Sequence, residues 1–488
     1  MDKDLQSIQE VRDLLHEAHR AQEKYSKFSQ SQIDEIIKEI SEEAKRHETE
    51  LAKLANEETG FGRWEDKVLK NRLAAAGVYE YIKDMKTVGI INECKKDGII
   101  EIGVPMGIIA ALIPSTNPTS TTIYKIMIAL KAGNGVIVSP HPNAKNCIIK
   151  TTEYLVRAAE RKGAPKGLIG VIKTPTLQAT NELMKHRLTS LILATGGDAM
   201  VHAAYSSGTP AIGVGPGNGP SFIEKSADIR KAVTRIMDSK TFDNGVICAS
   251  EQSVVTESAI KQEVKEEFKR QGAYFLNKEE RDKVGKILMR SNNTMNPKIV
   301  GKTALYVASV AGISIPSDVR VLISEETEVS NFNPYSREKL CPVLGFYTED
   351  TWEKACEKCI EILKNEGIGH TMSIHSNNEN IIREFALKKP VSRLLINTPA
   401  ALGGVGATTN LPPSFTLGCG TVGGSATSDN IGPLNLINIR RVAYGTKELS
   451  DLKETVRGYE NTDIRNHIRD NEVENIIRQV LDELYKNG

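Results

Sequence analysis

The chain has 488 residues, with 63 lysines and arginines against 62 aspartates and glutamates, a formal net charge of +1. That length exceeds what one hydrophobic core serves, so two or more domains are expected. The lack of any long single-sign block argues against nucleic acid or an acidic lipid surface as partner. The longest apolar run, Val104 to Ile113, contains Pro105 and Gly107 and falls short of the ~20 residues that cross a bilayer.

In chain order, the opening MDKDLQSIQEVRDLLHEAHR carries charges every few residues and no apolar stretch before a small-residue cleavage site. This argues against a secretory signal and for a cytoplasmic location. The first ~90 residues read as helical, with Ile33, Ile36, Ile37 and Ile40 recurring at three and four. His47-Glu48 lacks the second His of a zinc motif and suits a solvated helix face.

From Gly98 the texture changes. Apolar runs of strand length, GIIAALI (107–113), GVIVS (135–139), GLIGVI (167–172), LTSLILA (188–194) and TPAIGVG (209–215), alternate with helical patterns such as Thr119 to Lys131. Continuous apolar strands separated by helices predict a parallel sheet covered on both faces, the doubly wound α/β class. A second alternation follows Gly219: a helix near Ile229 to Met237, a strand at Gln252 to Thr256, a helix from Ser258 to Arg270, and strands around Val319 to Ile323 and Pro342 to Tyr347. Two α/β domains are therefore expected, meeting in GVGPGNGP (213–220).

Seven cysteines, an odd number scattered through the chain, suit free thiols better than a disulfide framework. Cys356 and Cys359 form the one CxxC, in a helical pattern without further zinc ligands, so no metal is expected. GCGTVG (418–423) matches G-x-G-x-x-G but is not followed by a helix, which removes its phosphate-binding meaning. The alternating glycines 213, 215, 217 and 219 let the chain pass close to another chain or a flat ligand.

Cys248, in TFDNGVICASEQSVV, follows the turn pair Asn244-Gly245 and precedes a strand, so it lies on a connection beside the small Ala249 and Ser250. These facts fit a nucleophile and a buried structural thiol equally well. A thiol attacking a carbonyl generates an oxyanion, which needs donors such as an Asn amide. Asn117, in IPSTNPTS at the C-terminal end of a buried strand, is placed for that, and equally for a plain turn before Pro118.

FDNGVICASEQSVV, IPSTNPTS, ATGGDAMVHAA (194–204), GVGPGNGP, SREKLCPVLGFY (336–347) and PPSFTLGCGTVGG (412–424), in this order, resemble the aldehyde dehydrogenase superfamily. They are most similar to its coenzyme A acylating branch, the acetaldehyde and propionaldehyde dehydrogenases. The resemblance spans about residues 20–446. It implies Cys248 as nucleophile, Asn117 with the Cys248 backbone N–H as oxyanion hole, and Glu338 as the nicotinamide ribose ligand. It also implies Gly196 and Gly197 as the pyrophosphate turn, with Thr116, Pro140 and His141 on the cofactor side. His141 either faces the adenosine part of NAD or coenzyme A or is a surface loop residue. Ser139-Pro-His-Pro142 stands where relatives often carry a lysine, which leaves NAD against NADP open.

Val214 stands where hydrolysing relatives carry a glutamate base. Without that base a thiol such as coenzyme A is the expected acyl acceptor. The implied activity is reversible oxidation of acetaldehyde or propionaldehyde to the acyl-CoA. The alternatives are a hydrolysing enzyme and a silent cargo protein.

The implied organisation is a cofactor-binding domain (1–217), a catalytic domain (218–430) and a small oligomerisation arm of strands 88–106 and 431–446, giving a dimer or tetramer. A C-terminal extension (447–488) completes it. After a polar segment, Arg457 to Asp470, the extension places Val473, Ile476, Ile477, Val480, Leu481 and Leu484 on one stripe of a helix near 471–485. The stripe packs either on its own subunit or oligomer, or on a partner. Encapsulation helices of bacterial microcompartment enzymes are similar, which implies a shell protein.

Overall fold

The computed structural model describes residues 2–292, 294–453 and 470–486. Helices open the chain. Lys3–Tyr25 is capped by Asp2, whose side chain accepts from the Asp4 N–H, and Gln30–Arg46 begins with a capping box between Ser29 and Gln32. The Ile33, Ile36, Ile37 and Ile40 stripe is buried, as its spacing predicts. Glu48–Thr59 ends on Gly60 in the left-handed conformation, and Trp64–Arg72 continues through a π-helical turn, Leu73–Gly77, into Val78–Ile82.

A five-stranded parallel sheet follows, in the order Ile169–Val171, Gly135–Pro140, Ile108–Ile113, Thr189–Thr195, Ala211–Val214. Ile108–Ile113 and Gly135–Pro140 are buried throughout, which is why they read as unbroken apolar runs. Val11, Leu15 and Ala18 of the first helix pack on Ile108, Ile137 and Ile192. The chain winds to one side of Ile108–Ile113 through Gly135–Pro140 and to the other through Thr189–Thr195. Its switch point therefore lies between the C-terminal ends of Ile108–Ile113 and Thr189–Thr195, where α/β sheets hold ligands.

Only four residues separate Val214 from Gly219, the start of the second sheet. That sheet has seven parallel strands, in the order Ala273–Phe275, Val321–Glu325, Val343–Glu349, Glu251–Glu257, Gly219–Ile223, Gly369–His375, Val391–Ile396. One face is covered by Ile229–Thr241 and Lys261–Arg270, the other by Trp352–Asn365 and Glu379–Lys388. The fold is thus mixed α/β with two parallel sheets and helical flanks.

Several boundaries differ from the sequence reading. GLIGVI forms a strand only at Ile169–Val171, and Ile229–Thr241 extends past Met237. The expected helix from Ser258 starts as a 3-10 turn, Ser258–Ile260, before Lys261–Arg270. The arm segment 88–106 is two strands, Gly89–Cys94 and Ile99–Pro105, which join Ile437–Ala443 in a three-stranded sheet. Both large sheets fall in one unit, Met1–Gly89 with Gly103–Asn438, and most of the arm falls in a second with the C-terminal region. The terminal helix is Asp470–Lys486, and the polar segment before it lies outside the described residues. No helix of the described residues is long and apolar enough to cross a membrane.

Candidate active site

The two sheets contribute strand ends of different kinds to the site. The loops after Ile113 and Thr195 leave the C-terminal ends of the first sheet, whereas Cys248, Gly217, Glu338 and His370 gather near the N-terminal ends of strands in the second. The short link from Val214 to Gly219 joins these two kinds of strand end.

Cys248 follows a tight turn, Phe242–Gly245, in which Asp243 and Asn244 take the left-handed conformation (φ 48° and 52°). Cys248 is half-buried and packs on a cluster of Ile247, Ala249, Ala401, Val405 and Leu417, on which Leu73 and Phe242 also pack. Burial, then the Glu338 carboxyl, pushes its thiol up to about 12, so it rests as the neutral thiol. Beside it, Leu69, Leu73, Phe242, Ile247, Val405 and Phe415 line an apolar cavity of about 430 Å³. The π turn contributes Leu73, Ala76 and Gly77 to that wall.

Asn117 sits at the N-cap of Pro118–Lys131, yet its side chain makes no capping bond. Its Oδ1 instead accepts from the Lys70 Nζ (2.7 Å), and among the described residues its Nδ2 has only a long contact to Thr116 Oγ1 (3.4 Å). The same Lys70 Nζ donates to the carbonyl of Val246 (3.2 Å), two residues before Cys248, so one ammonium ties the Asn117 loop to the thiol loop.

Glu338 Oε1 accepts from the Gly217 N–H (3.0 Å), and burial followed by the nearby Glu366 pushes its carboxyl up to about 8. Gly217 in turn lies against the Cys248 carbonyl, and a Cβ on Gly219 would stand 2.5 Å from the Thr371 oxygen. The expectation that these glycines allow close chain approach holds at both positions. Val214, 3% exposed, closes the strand Ala211–Val214.

His370 went unnoticed in the sequence. It is fully buried, its Nδ1 lies 3.0 Å from Thr371 Oγ1, and its Nε2 has no partner among the described residues. The point a Gly217 Cβ would occupy lies 3.4 Å from its Nδ1 and 1.9 Å from the Cys248 oxygen, which places the ring beside the thiol loop. Burial and the Arg393 guanidinium hold it neutral, down to about 3. Arg393 binds the carbonyls of His370 (3.0 Å) and Gly418 (2.6 Å). The GCGTVG segment thus braces this strand end, and Gly369 passes so near Cys419 that a Cβ would meet its oxygen at 2.0 Å.

On the other sheet, Gly197 caps Asp198–Tyr205 without a side-chain cap bond, and the space where its Cβ would stand is open. A phosphate can approach such a helix start, which suits a dinucleotide at the switch point. Thr116 is half-buried beside Asn117, with its carbonyl 3.4 Å from Lys67 Nζ. Pro140 ends its strand, and His141 accepts from the Asn143 N–H (3.1 Å), capping its own turn. All seven cysteines are free, and Cys356 and Cys359 are buried on one helix. No group of three or more metal-ligating side chains forms among the described residues.

Residues 4–296 match the aldehyde dehydrogenase family. The chain belongs to that family. An aldehyde-alcohol dehydrogenase of Clostridium acetobutylicum is 45% identical over 419 residues, 85% of this chain and 48% of that protein. The chain therefore spans about half the length of the first curated relatives it matches. A probable aldehyde dehydrogenase from Listeria monocytogenes superposes with a TM-score of 0.92 at 59% identity, covering 93% of this chain and all of that one. An acetylating aldehyde dehydrogenase from Geobacillus thermoglucosidasius gives 0.90 at 52% identity, over 92% and 99%. A propionaldehyde dehydrogenase from the fucose-utilisation bacterial microcompartment of Clostridium phytofermentans gives 0.81 at 29% identity, over 90% and 98%. Like this aldehyde dehydrogenase, they match along nearly their whole length, so the resemblance read from six motifs extends through the fold.

Proposed function

We propose that this aldehyde dehydrogenase oxidises a small uncharged aldehyde with NAD and coenzyme A to the acyl-CoA, and runs the reverse reaction through the same intermediates. The observation that carries the reading is the half-buried Cys248 packed on the cluster whose Ile247 and Val405 line an apolar cavity, with the Asn117 loop tied to its own by Lys70.

Cys248, deprotonated, adds to the aldehyde carbon, and the new oxyanion accepts from the Asn117 Nδ2 and the Cys248 backbone N–H. Bound NAD supplies the acceptor for the hydride that leaves the thiohemiacetal carbon. The Glu338 carboxyl and the open helix start at Gly197 suit the two ends of that cofactor, with Thr116, Pro140 and His141 along the same strand ends. The acyl-Cys248 thioester then exchanges with the coenzyme A thiol. His370 is neutral, so one of its ring nitrogens carries no hydrogen and is suited to receive that of the thiol. Val214 offers no base to water at its position, which supports a thiol acceptor.

The cations at the cavity are already engaged, Lys70 by Asp243 and Arg72 by Glu48. An alkyl chain therefore fits the cavity better than a carboxylate-bearing one. The decisive assay is NADH formation from propionaldehyde and NAD, with and without coenzyme A, beside Cys248→Ala. Turnover should require both coenzyme A and Cys248. Equal turnover without coenzyme A would make water the acceptor and overturn the reading.

For assembly, the reading is a homodimer or tetramer built through the three-stranded arm, where Ile90, Ile439 and Tyr444 stand exposed. The terminal helix exposes Val473, Ile476, Ile477, Val480, Leu481 and Leu484, each at least 42%. That face, with the microcompartment enzyme among the similar structures, supports docking on a shell protein in the cytoplasm. Removal of residues 470–488 should leave kcat unchanged and abolish co-purification with shell protein. Unchanged co-purification, or a change in oligomer size, would refute the docking role.

A further inference from the structure

The N-cap geometry of Asn117 has a cost that only a second role explains. An Asn at this position ordinarily accepts from the N–H groups of the first helical turn, which stabilises a helix by about 1 kcal/mol. Asn117 makes no such bond. Its carbonyl end is turned instead to the buried Lys70 ammonium at 2.7 Å. Lysine carries donors only, so this contact fixes which end of the carboxamide is which. The oxygen must face Lys70 and the NH₂ must face away.

We propose that Lys70 is a positioning residue: it turns the Asn117 carboxamide so that its N–H groups face the oxygen of the reacting carbonyl. This rests on the oxyanion role given to Asn117 above. Lys70 is built to hold one orientation. Its ammonium has three acceptors, Asn117 Oδ1, the Val246 carbonyl (3.2 Å) and Asp243 Oδ2, one for each of its donors. Asp243 is fixed in its turn. It takes left-handed backbone, φ 48°, uncommon for a residue with a side chain and found where surrounding structure over-determines it. Its Oδ1 accepts from the Arg63 N–H (2.7 Å), its Oδ2 accepts from Lys67 (2.9 Å), and its own N–H donates to Asp66 Oδ2 (2.8 Å). The helix Trp64–Arg72, the turn Phe242–Gly245 and the Asn117 loop are thereby locked through one carboxylate and two ammonium groups.

A purely structural ion cluster would show the same bonds, so the test is a double-mutant cycle on kcat. Lys70→Met leaves Asp243 paired with Lys67, so no lone buried carboxylate is created. It should lower kcat about 30-fold with the aldehyde KM within about threefold, below the roughly 10²–10³-fold loss for deleting an oxyanion donor. In the Asn117→Ala background the same change should cost less than about threefold, because the group it orients is gone. Lys70→Gln, which keeps a donor, should recover part of the loss. If Lys70→Met fails to fold, Lys70→Gln is read through the same cycle. An equal fold-loss in both backgrounds overturns the positioning role while leaving Asn117 in place. An unchanged kcat in Asn117→Ala alone instead removes the oxyanion assignment itself.

Discussion

A Cβ placed on Gly217 would stand 1.9 Å from the carbonyl oxygen of Cys248, and the obstacle is backbone, which has no rotamer to escape into. The same residue donates its N–H to Glu338. Gly217→Ala should therefore displace the thiol loop and the glutamate together. The expected result is a loss of about 10²-fold in kcat and a raised KM for NAD, with a lowered Tm. An alanine variant with wild-type kcat and KM would show that this contact does not set the position of Cys248.

The resting thiol is neutral, since burial and Glu338 raise it to about 12. A thiol is an acid that reacts as its anion, so each unit of pH below that value should change its reactivity about tenfold. Iodoacetamide alkylation of Cys248 in the cofactor-free enzyme should keep climbing from pH 7 to 9 without levelling. A plateau near pH 8 would place the thiol much lower than its surroundings do.

Much of this fold is legible in the sequence because parallel strands buried on both faces leave continuous apolar runs, as Ile108–Ile113 does. Cys248 and Asn117 are placed by local turn signals, but their roles come only from the motif resemblance. His370 leaves no local trace. It is one residue of a strand, and it reaches the thiol loop only because Gly369–His375 pairs with Gly219–Ile223, a long-range choice. Lys67 and Lys70 carry no local sign of their burial either, because the acid that pairs with both, Asp243, lies 176 and 173 residues further on. The GCGTVG match illustrates the converse: its letters fit a phosphate fingerprint whose helix is missing, and its role in the fold is close packing around Arg393 and Gly369.

The cavity wall sets a substrate-length prediction. Val405 is 4% exposed and lines the apolar space together with Phe242 and Phe415. Val405→Phe should fill part of it and penalise long chains first. We expect kcat/KM for hexanal to fall at least about tenfold more than that for propionaldehyde, in line with what a few methylenes are worth in an apolar pocket. A parallel fall for both aldehydes would mean that the alkyl chain does not enter this cavity.

Glu251, the first residue of the strand after Cys248, gives a prediction about stability. Burial raises its carboxyl from the usual range to about 7, while one oxygen accepts from the Ala400 N–H (2.9 Å) and the other has no partner among the described residues. The folded chain holds a proton that the unfolded chain releases near pH 4.5. Between those values the unfolded state binds fewer protons, so stability falls as pH rises and the loss levels off above about 7. The full effect is on the order of 3 kcal/mol. Glu251→Gln keeps the acceptor for Ala400 and removes the ionisation. It should leave Tm nearly unchanged at pH 4.5 and raise it at pH 8. An equal shift at both pH values would mean that burial does not raise this carboxyl, and a lower Tm at pH 8 would mean that Glu251 is ionised in the fold with a partner that stabilises its charge.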